Sequence, residues 1–372
     1  MVHTEFRKKI EHLLSTTDVR INGDRPWDIQ VYNEKLYPRI LAEGSLGLGE
    51  AYMDGWWDSD KLDELICKIL KANLDSKVNP RMEWLSYIKA RILNLQKPSS
   101  CFTDCQHHYD IGNDLYQCML DKLLIYSCAY WKNASSLDEA QENKLDLVCR
   151  KMFLRPGMRV LDIGCGWGGT AKFIAENYDV EIVGITVSKK QADFAEKFCQ
   201  GLPVTIRLED YRSLDGVFDR IVSLGMVEHV GYKNYKTFMR VARRSLKEDG
   251  LFVLQSIGGN RSLKNTDPWI RRYIFPNSLL PSAKQLADAI ENVFVLEDWH
   301  NFGQDYDKTL LHWFQNFHNN WQQLKDKYGD RFYRMWKFYL LACAGSFRAR
   351  SNQLWQIVLS PKGTPGGYVA PR

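Results

Sequence analysis

A chain of 372 residues with 45% hydrophobic side chains can bury a full core, so a disordered polymer is excluded and one large domain with a smaller companion is expected. Its 50 basic and 45 acidic residues leave a formal charge of +5, too weak a bias to argue for nucleic acid but compatible with an anionic membrane surface. No run approaches the roughly 18 unbroken apolar residues of a membrane-spanning helix, and the opening MVHTEFRKKIEHLL is too charged for a secretory signal, so the expected compartment is the cytoplasm.

The first hundred residues carry helical periodicity. In KLDELICKIL, Leu62, Leu65, Ile66, Ile69 and Leu70 recur on one face, and a small, mainly helical domain is expected over 1–95. Near its end, RMEWLSYIKARILNLQK (81–97) sets Leu85, Ile88, Ile92 and Leu95 on one side among basic residues, Trp84 and Tyr87. Such a helix suits either a membrane surface or a packing contact. Pro98, Ser99 and Ser100 then break the pattern, and a linker is expected over 96–107. The nearby Cys101, Cys105, His107 and His108 fit no zinc spacing, and nine cysteines without a C-x-x-C pair read as reduced thiols. No metal is expected.

The remaining residues, 108–372, read as a second domain. From about residue 140 short apolar strands alternate with helical patterns: RVLDIG, VEIVGIT, VTIRLED, FDRIVSLG, LFVLQSIG, VFVLEDWH and LWQIVLS. That alternation predicts βαβ units and a parallel-rich sheet covered on both faces. A helix is expected from Gly168 to Tyr178, and Ser188 is placed to cap the next.

RVLDIGCGWGG (159–169) spaces Gly164, Gly166 and Gly169 as G-x-G-x-x-G after a strand and before a helix, the context of a nucleotide loop. Asp162, two positions before Gly164, decides what the loop holds. A buried carboxylate there repels a pyrophosphate but pairs with an ammonium or stabilises a sulfonium, which favours S-adenosylmethionine. The second strand ends in Thr186, followed by Ser188 and Gln191, instead of the acid that a nicotinamide dinucleotide site places there. Glu209 and Asp210, ending the third strand, offer acceptors for an adenine amino group. An aromatic content of 13%, with 12 Trp and 18 Tyr, supplies rings for a lipid interface, a cation or simply a core.

EGSLGLGEAYMDGWW (43–57), HYDIGNDLY (108–116), YSCAYW (126–131), VLDIGCGWGG (160–169), GMVEHVG (225–231), DPWIRRYIFPN (267–277), DWHNFGQDYDKTL (298–310) and CAGSFRAR (343–350) resemble, in this order, the motifs of bacterial cyclopropane-fatty-acid-phospholipid synthases. The resemblance covers nearly the whole chain. It implies a Rossmann-like class I methyltransferase fold, α/β, with a mixed, mostly parallel seven-stranded sheet beside the helical N-terminal domain. The implied reaction transfers a methyl group from S-adenosylmethionine to the cis double bond of an unsaturated phospholipid acyl chain, then closes a cyclopropane ring with loss of a proton. The implied setting is cytoplasmic, peripheral at the inner face of the membrane, as a homodimer.

The resemblance further implies a bicarbonate ion as base, held by Cys128, Glu228, residue 255, the backbone of Ile257, and Tyr306. Position 255 departs from the pattern: Gln255 stands where the family usually has His, and glutamine can orient an anion but cannot take up a proton near neutral pH. A carboxylate beside an anion requires a shared proton, so Glu228 and bicarbonate are expected to share one. Cys343 resembles a cysteine described as the family's nucleophile, although the chemistry needs no covalent enzyme intermediate. For the cofactor the resemblance agrees with the strand-end reading on Tyr126, Ser127, Asp162, Gly164, Gly166, Thr186, Gln191, Asp210 and Tyr211, with Trp167 a further candidate. The N-terminal domain is expected to help deliver the acyl chain, or to serve as a folding and dimer-contact module. Alternative functions are a methyltransferase that leaves a methyl-branched chain or acts on a small amine, and a non-catalytic module that binds lipid and S-adenosylmethionine.

Overall fold

A computed structural model describes residues 2–74 and 112–372. The basic helix read at 81–97, the linker at 96–107 and the Cys101, Cys105, His107 and His108 group lie outside the described residues. Two compact units are present: 2–74 with 264–276 and 306–352, and 112–263 with 277–305 and 353–372.

The first unit is mainly helical, apart from a two-residue antiparallel ribbon of Gln30–Val31 and Trp57–Asp58. Helix Leu62–Lys71 buries Leu62, Leu65 and Ile66 as its periodicity predicts, with Ile69 and Leu70 half-buried. It packs on the helical segment Trp321–Arg348, which is kinked at Gly329. A Cβ at Gly345 would sit 2.4 Å from the Asp63 carbonyl, so the crossing requires glycine there. Arg348 then clasps three acids, Asp63 at 2.7 Å, Glu64 at 3.0 Å and Asp307 at 2.8 Å.

The second unit is built on a seven-stranded sheet: β1 (Arg159–Ile163), β2 (Glu181–Thr186), β3 (Val204–Leu208), β4 (Phe218–Leu224), β5 (Leu246–Gly259), β6 (Val295–Asn301) and β7 (Asn352–Ser360). The spatial order is β3-β2-β1-β4-β5-β7-β6. β1 to β5 pair in parallel, and β6 runs antiparallel to β7. The mixed, mostly parallel seven-stranded sheet of the sequence reading is the sheet observed. Its helices include α1 (Leu137–Met152), α2 (Gly169–Asn177), α3 (Lys189–Phe198), α4 (Tyr235–Arg244) and α5 (Ala283–Ile290). Leu161, Ile163, Phe218, Ile221, Phe252 and Leu254 enter one core cluster with Phe238 and Leu286, whereas Val160, Ile182, Val222 and Val253 enter another with Val148 and Ile174. Alternate strand residues thus serve opposite faces, each covered by helices. Ser188 caps α3 as expected, its hydroxyl accepting from the Gln191 amide. Among the described residues no helix is long and apolar enough to cross a membrane.

This order positions the site. From β1 the chain winds out to β2 and β3, then returns to place β4 on the opposite side of β1. The crevice at that reversal, outside the carboxyl ends of the strands, is where open α/β sheets bind ligands.

Candidate active site

A cleft of about 1050 Å³, the solvent at its mouth included, opens at that reversal. Tyr126, Ser127, Asp162, Gly164, Gly166, Thr186, Gln191 and Tyr211 all line it, as does Trp167. Asp210 does not. Its carboxylate accepts from the Arg212 amide at 2.9 Å and pairs with the Arg212 guanidinium at 3.2 Å, capping the turn Tyr211–Ser213, while Glu209 and Arg212 join the lining.

The glycine loop does two jobs. Gly164 and Gly166 take φ of +89° and +55°, a region that favours residues without a Cβ. Gly169, with ordinary φ, is required for a different reason: a Cβ there would lie 1.9 Å from the carbonyl oxygen of Leu123. The third glycine lets α2 start against segment 121–127, the segment that carries Tyr126 and Ser127 to the cleft. That segment is held from its own side by Asp121, whose two oxygens accept from the amides of Leu123 and Ile125 at 2.9 Å each.

Asp162 sits on β1 between Gly184 of β2 and Val222 of β4. It is buried, and its Oδ2 has no hydrogen-bond partner among the described residues. Burial raises its pKa to about 7, against the opposing pull of Lys144. A carboxyl held this way gains from an arriving cation. His229, also lining the cleft, is pushed down to about 4 by burial and is neutral at physiological pH.

A second group of buried polar side chains involves β4, β5 and β7. Glu228, on the turn Val227–His229 that follows β4, accepts from the Ile257 amide at 2.7 Å. The backbone donor that the resemblance assigned to an anion is thus engaged by Glu228 itself. The other oxygen of Glu228 has no partner among the described residues. Burial raises this carboxyl to about 7, while the hydrogen bond from Ile257 works in the opposite direction. Gln255 lies two residues before Ile257 on the same face of β5, fully buried, its Oε1 accepting from Gln356 Nε2 at 2.9 Å. The Nε2 of Gln255 has no partner among the described residues. Cys128 is buried, with its thiol directed to the Ala129 carbonyl at 3.2 Å.

Glu228 and Ile257 are therefore in direct contact. Tyr306 and Cys343 belong to the other unit, where the Tyr306 ring packs on Phe347 and Trp313 at centroid distances of 4.6 and 5.8 Å. Burial pushes the Cys343 thiol up to about 12, so it is protonated at neutral pH, the state of a packed thiol. Sequence reasoning missed Lys144, Gln356, Arg212 and Met226. Gln356 left a signal, a lone amide in the apolar run LWQIVLS. Lys144 left none, since lysines on helices are ordinarily solvated.

The strand order, the reversal cleft and its buried acid define a class I S-adenosylmethionine-dependent methyltransferase. Residues 96–357 match the model of the family described as mycolic acid cyclopropane synthetase, and the chain belongs to that family. It is 52% identical over 361 residues, 97% of its length and 94% of the relative's, to the cyclopropane-fatty-acyl-phospholipid synthase of Escherichia coli. Among solved structures it is similar to a mycolic acid cyclopropane synthase complexed with SAH and CTAB, at 32% identity and a TM-score of 0.65 over 69% of this chain and 97% of that one. A coclaurine N-methyltransferase, 22% identical with a TM-score of 0.71 over 84% of this chain and 98% of that one, shares the fold.

Proposed function

We propose that this enzyme converts the cis double bond of an unsaturated phospholipid acyl chain into a cyclopropane ring, working peripherally at the cytoplasmic face of a membrane as a homodimer. S-adenosylmethionine, when bound, supplies the electrophilic methyl group; the alkene's π electrons form the new carbon–carbon bond as the carbon–sulfur bond breaks. An alkene is a weak neutral nucleophile, so the rate rests on proximity and on exclusion of water. Tyr126, Ser127, Asp162, Gly164, Gly166, Thr186, Gln191 and Tyr211 hold the donor in the cleft, with Asp162 taking its ammonium end and Tyr211 its adenine. Asp210 supports that end through Arg212.

Bicarbonate, when bound, supplies the base that removes a proton from the transferred methyl, whose C–H electron pair closes the ring. Two unpartnered buried atoms, Glu228 Oε2 and Gln255 Nε2, fit such an ion, one as a carboxyl that shares a proton and one as a neutral donor. Cys128 completes the proposed set, the Ile257 amide acts on the ion only through Glu228, and Cys343 packs. The helical N-terminal region helps bring the acyl chain to the catalytic domain.

The observation that carries this reading is Glu228, a buried carboxyl with one oxygen held by a backbone amide and the other unpartnered. The test is turnover on vesicles of unsaturated phospholipid with labelled S-adenosylmethionine, with and without bicarbonate, read by mass spectrometry. Ring product that depends on bicarbonate is expected. Gln255 favours a second reading, in which the proton leaves a neighbouring chain carbon and a methyl-branched alkene forms, isomeric with the ring; its appearance in place of the ring, told apart by its olefinic NMR signal, would refute the first.

A further inference from the structure

One turn apart on α1, Gln141 and Lys144 are both fully buried and both reach the segment that lines the cleft. Gln141 Nε2 donates to the carbonyls of Ile125 at 3.3 Å and Ser127 at 2.9 Å. Lys144 Nζ donates to the hydroxyl of Ser127 at 3.1 Å. Among the described residues that hydroxyl is the one acceptor the ammonium reaches, and no carboxylate lies within ion-pair distance of it. Asp121, the acid that interacts with it most strongly, has its oxygens committed to the amides of Leu123 and Ile125.

A buried ammonium with a single neutral partner is costly to maintain, and burial holds Lys144 below the usual lysine range. It becomes favourable when an anion arrives nearby. Ser127 is the link: its oxygen accepts from Lys144, so its own hydroxyl proton is left to donate, and Ser127 lines the cleft. The same cleft presents Asp162 with an unpartnered carboxylate oxygen. It therefore offers a donor backed by positive charge and an acceptor carrying negative charge, the complement of an amino-acid zwitterion.

We propose that Lys144, acting through Ser127, is the positioning residue that reads the α-carboxylate of the methyl donor's methionyl end, while Asp162 takes its α-ammonium. This rests on the assignment of the cleft to S-adenosylmethionine and goes further by naming what recognises the carboxylate. Neither role involves the reacting methyl, so the residue acts on donor binding and not on ring closure.

Calorimetric titration with three probes tests it: S-adenosylhomocysteine, decarboxylated S-adenosylmethionine, which keeps the ammonium but lacks the carboxylate, and methylthioadenosine, which lacks both. Lys144→Met keeps the volume and removes the charge. It is expected to weaken S-adenosylhomocysteine by roughly tenfold or more, the loss of a charge-assisted contact, and to leave the other two within about twofold. Ser127→Ala, which removes the donor to the carboxylate and keeps the lysine, is expected to give the same selectivity and carries the test if Lys144→Met does not fold. Equal weakening of all three probes, or no weakening, would overturn the proposal while leaving the cofactor assignment intact. Failure of the unmutated enzyme to bind S-adenosylhomocysteine would overturn both.

Discussion

Gln356 donates an amide hydrogen to Oε1 of Gln255 at 2.9 Å, between two neighbouring strands where neither side chain meets solvent. In this orientation Gln255 Nε2 and Gln356 Oε1 are left without partners among the described residues, and the first is a donor suited to an anion. Gln356→Leu leaves a buried carbonyl oxygen unpaired, at a cost of about 1–3 kcal/mol of stability. It also frees the Gln255 amide to turn. The expected kinetic signature is a raised KM for bicarbonate with a smaller change in kcat.

If Gln255 orients the anion without relaying protons, an imidazole at the same place gains little. Gln255→His is expected to change kcat by less than about tenfold, measured on vesicles with bicarbonate saturating. A gain of several orders of magnitude would show that a titrating side chain is needed there.

Glu228 has its pKa raised from 4.5 to about 7, so the folded state binds a proton that the unfolded state has released across that interval. Its contribution to stability is therefore full below pH 4.5 and is lost as the pH rises through 7. Glu228→Gln removes the titration. In urea unfolding the variant gains on the unmutated protein as the pH rises, by at most about 3 kcal/mol at the upper plateau. A difference that stays flat with pH would mean that the carboxyl is not held neutral. Comparing the two proteins cancels the opposite trend of His229 and His300, whose values are lowered.

Gly169→Ala brings a methyl group against a backbone oxygen that flexible side chains cannot move aside. A loss of about 1–3 kcal/mol is expected, together with weaker S-adenosylhomocysteine binding, because segment 121–127 must shift. Gly201→Ala is a useful control: it has a positive φ of 85° but open space around it, so its cost is expected in stability without loss of affinity.

Cys343→Ala is expected to keep turnover within about threefold of the unmutated enzyme, since a thiol raised to about 12 is not a nucleophile at neutral pH. Loss of more than a hundredfold, with fold intact by circular dichroism, would restore the covalent role.

The seven strands and the cleft were legible because each leaves a local signature, a short apolar run or a glycine triplet with an acid before it. Asp162 could be picked out because its place at a strand tip follows from counting along the motif. Lys144 and Gln356 could not, because their significance lies in partners 17 and 101 residues away in sequence. The same limit explains the third glycine. Its spacing announced a nucleotide loop, whereas the constraint on Gly169 comes from Leu123, a residue outside the motif.

The carboxyl of Asp162, poised near pH 7, has a consequence for energetics. A cation docking beside it expels whatever hydrogen ion the acid was holding, so loading the donor discharges acid into the medium. The measured heat of loading must then vary with the buffer's own ionisation enthalpy, and acidification of the surroundings must make the enzyme harder to charge.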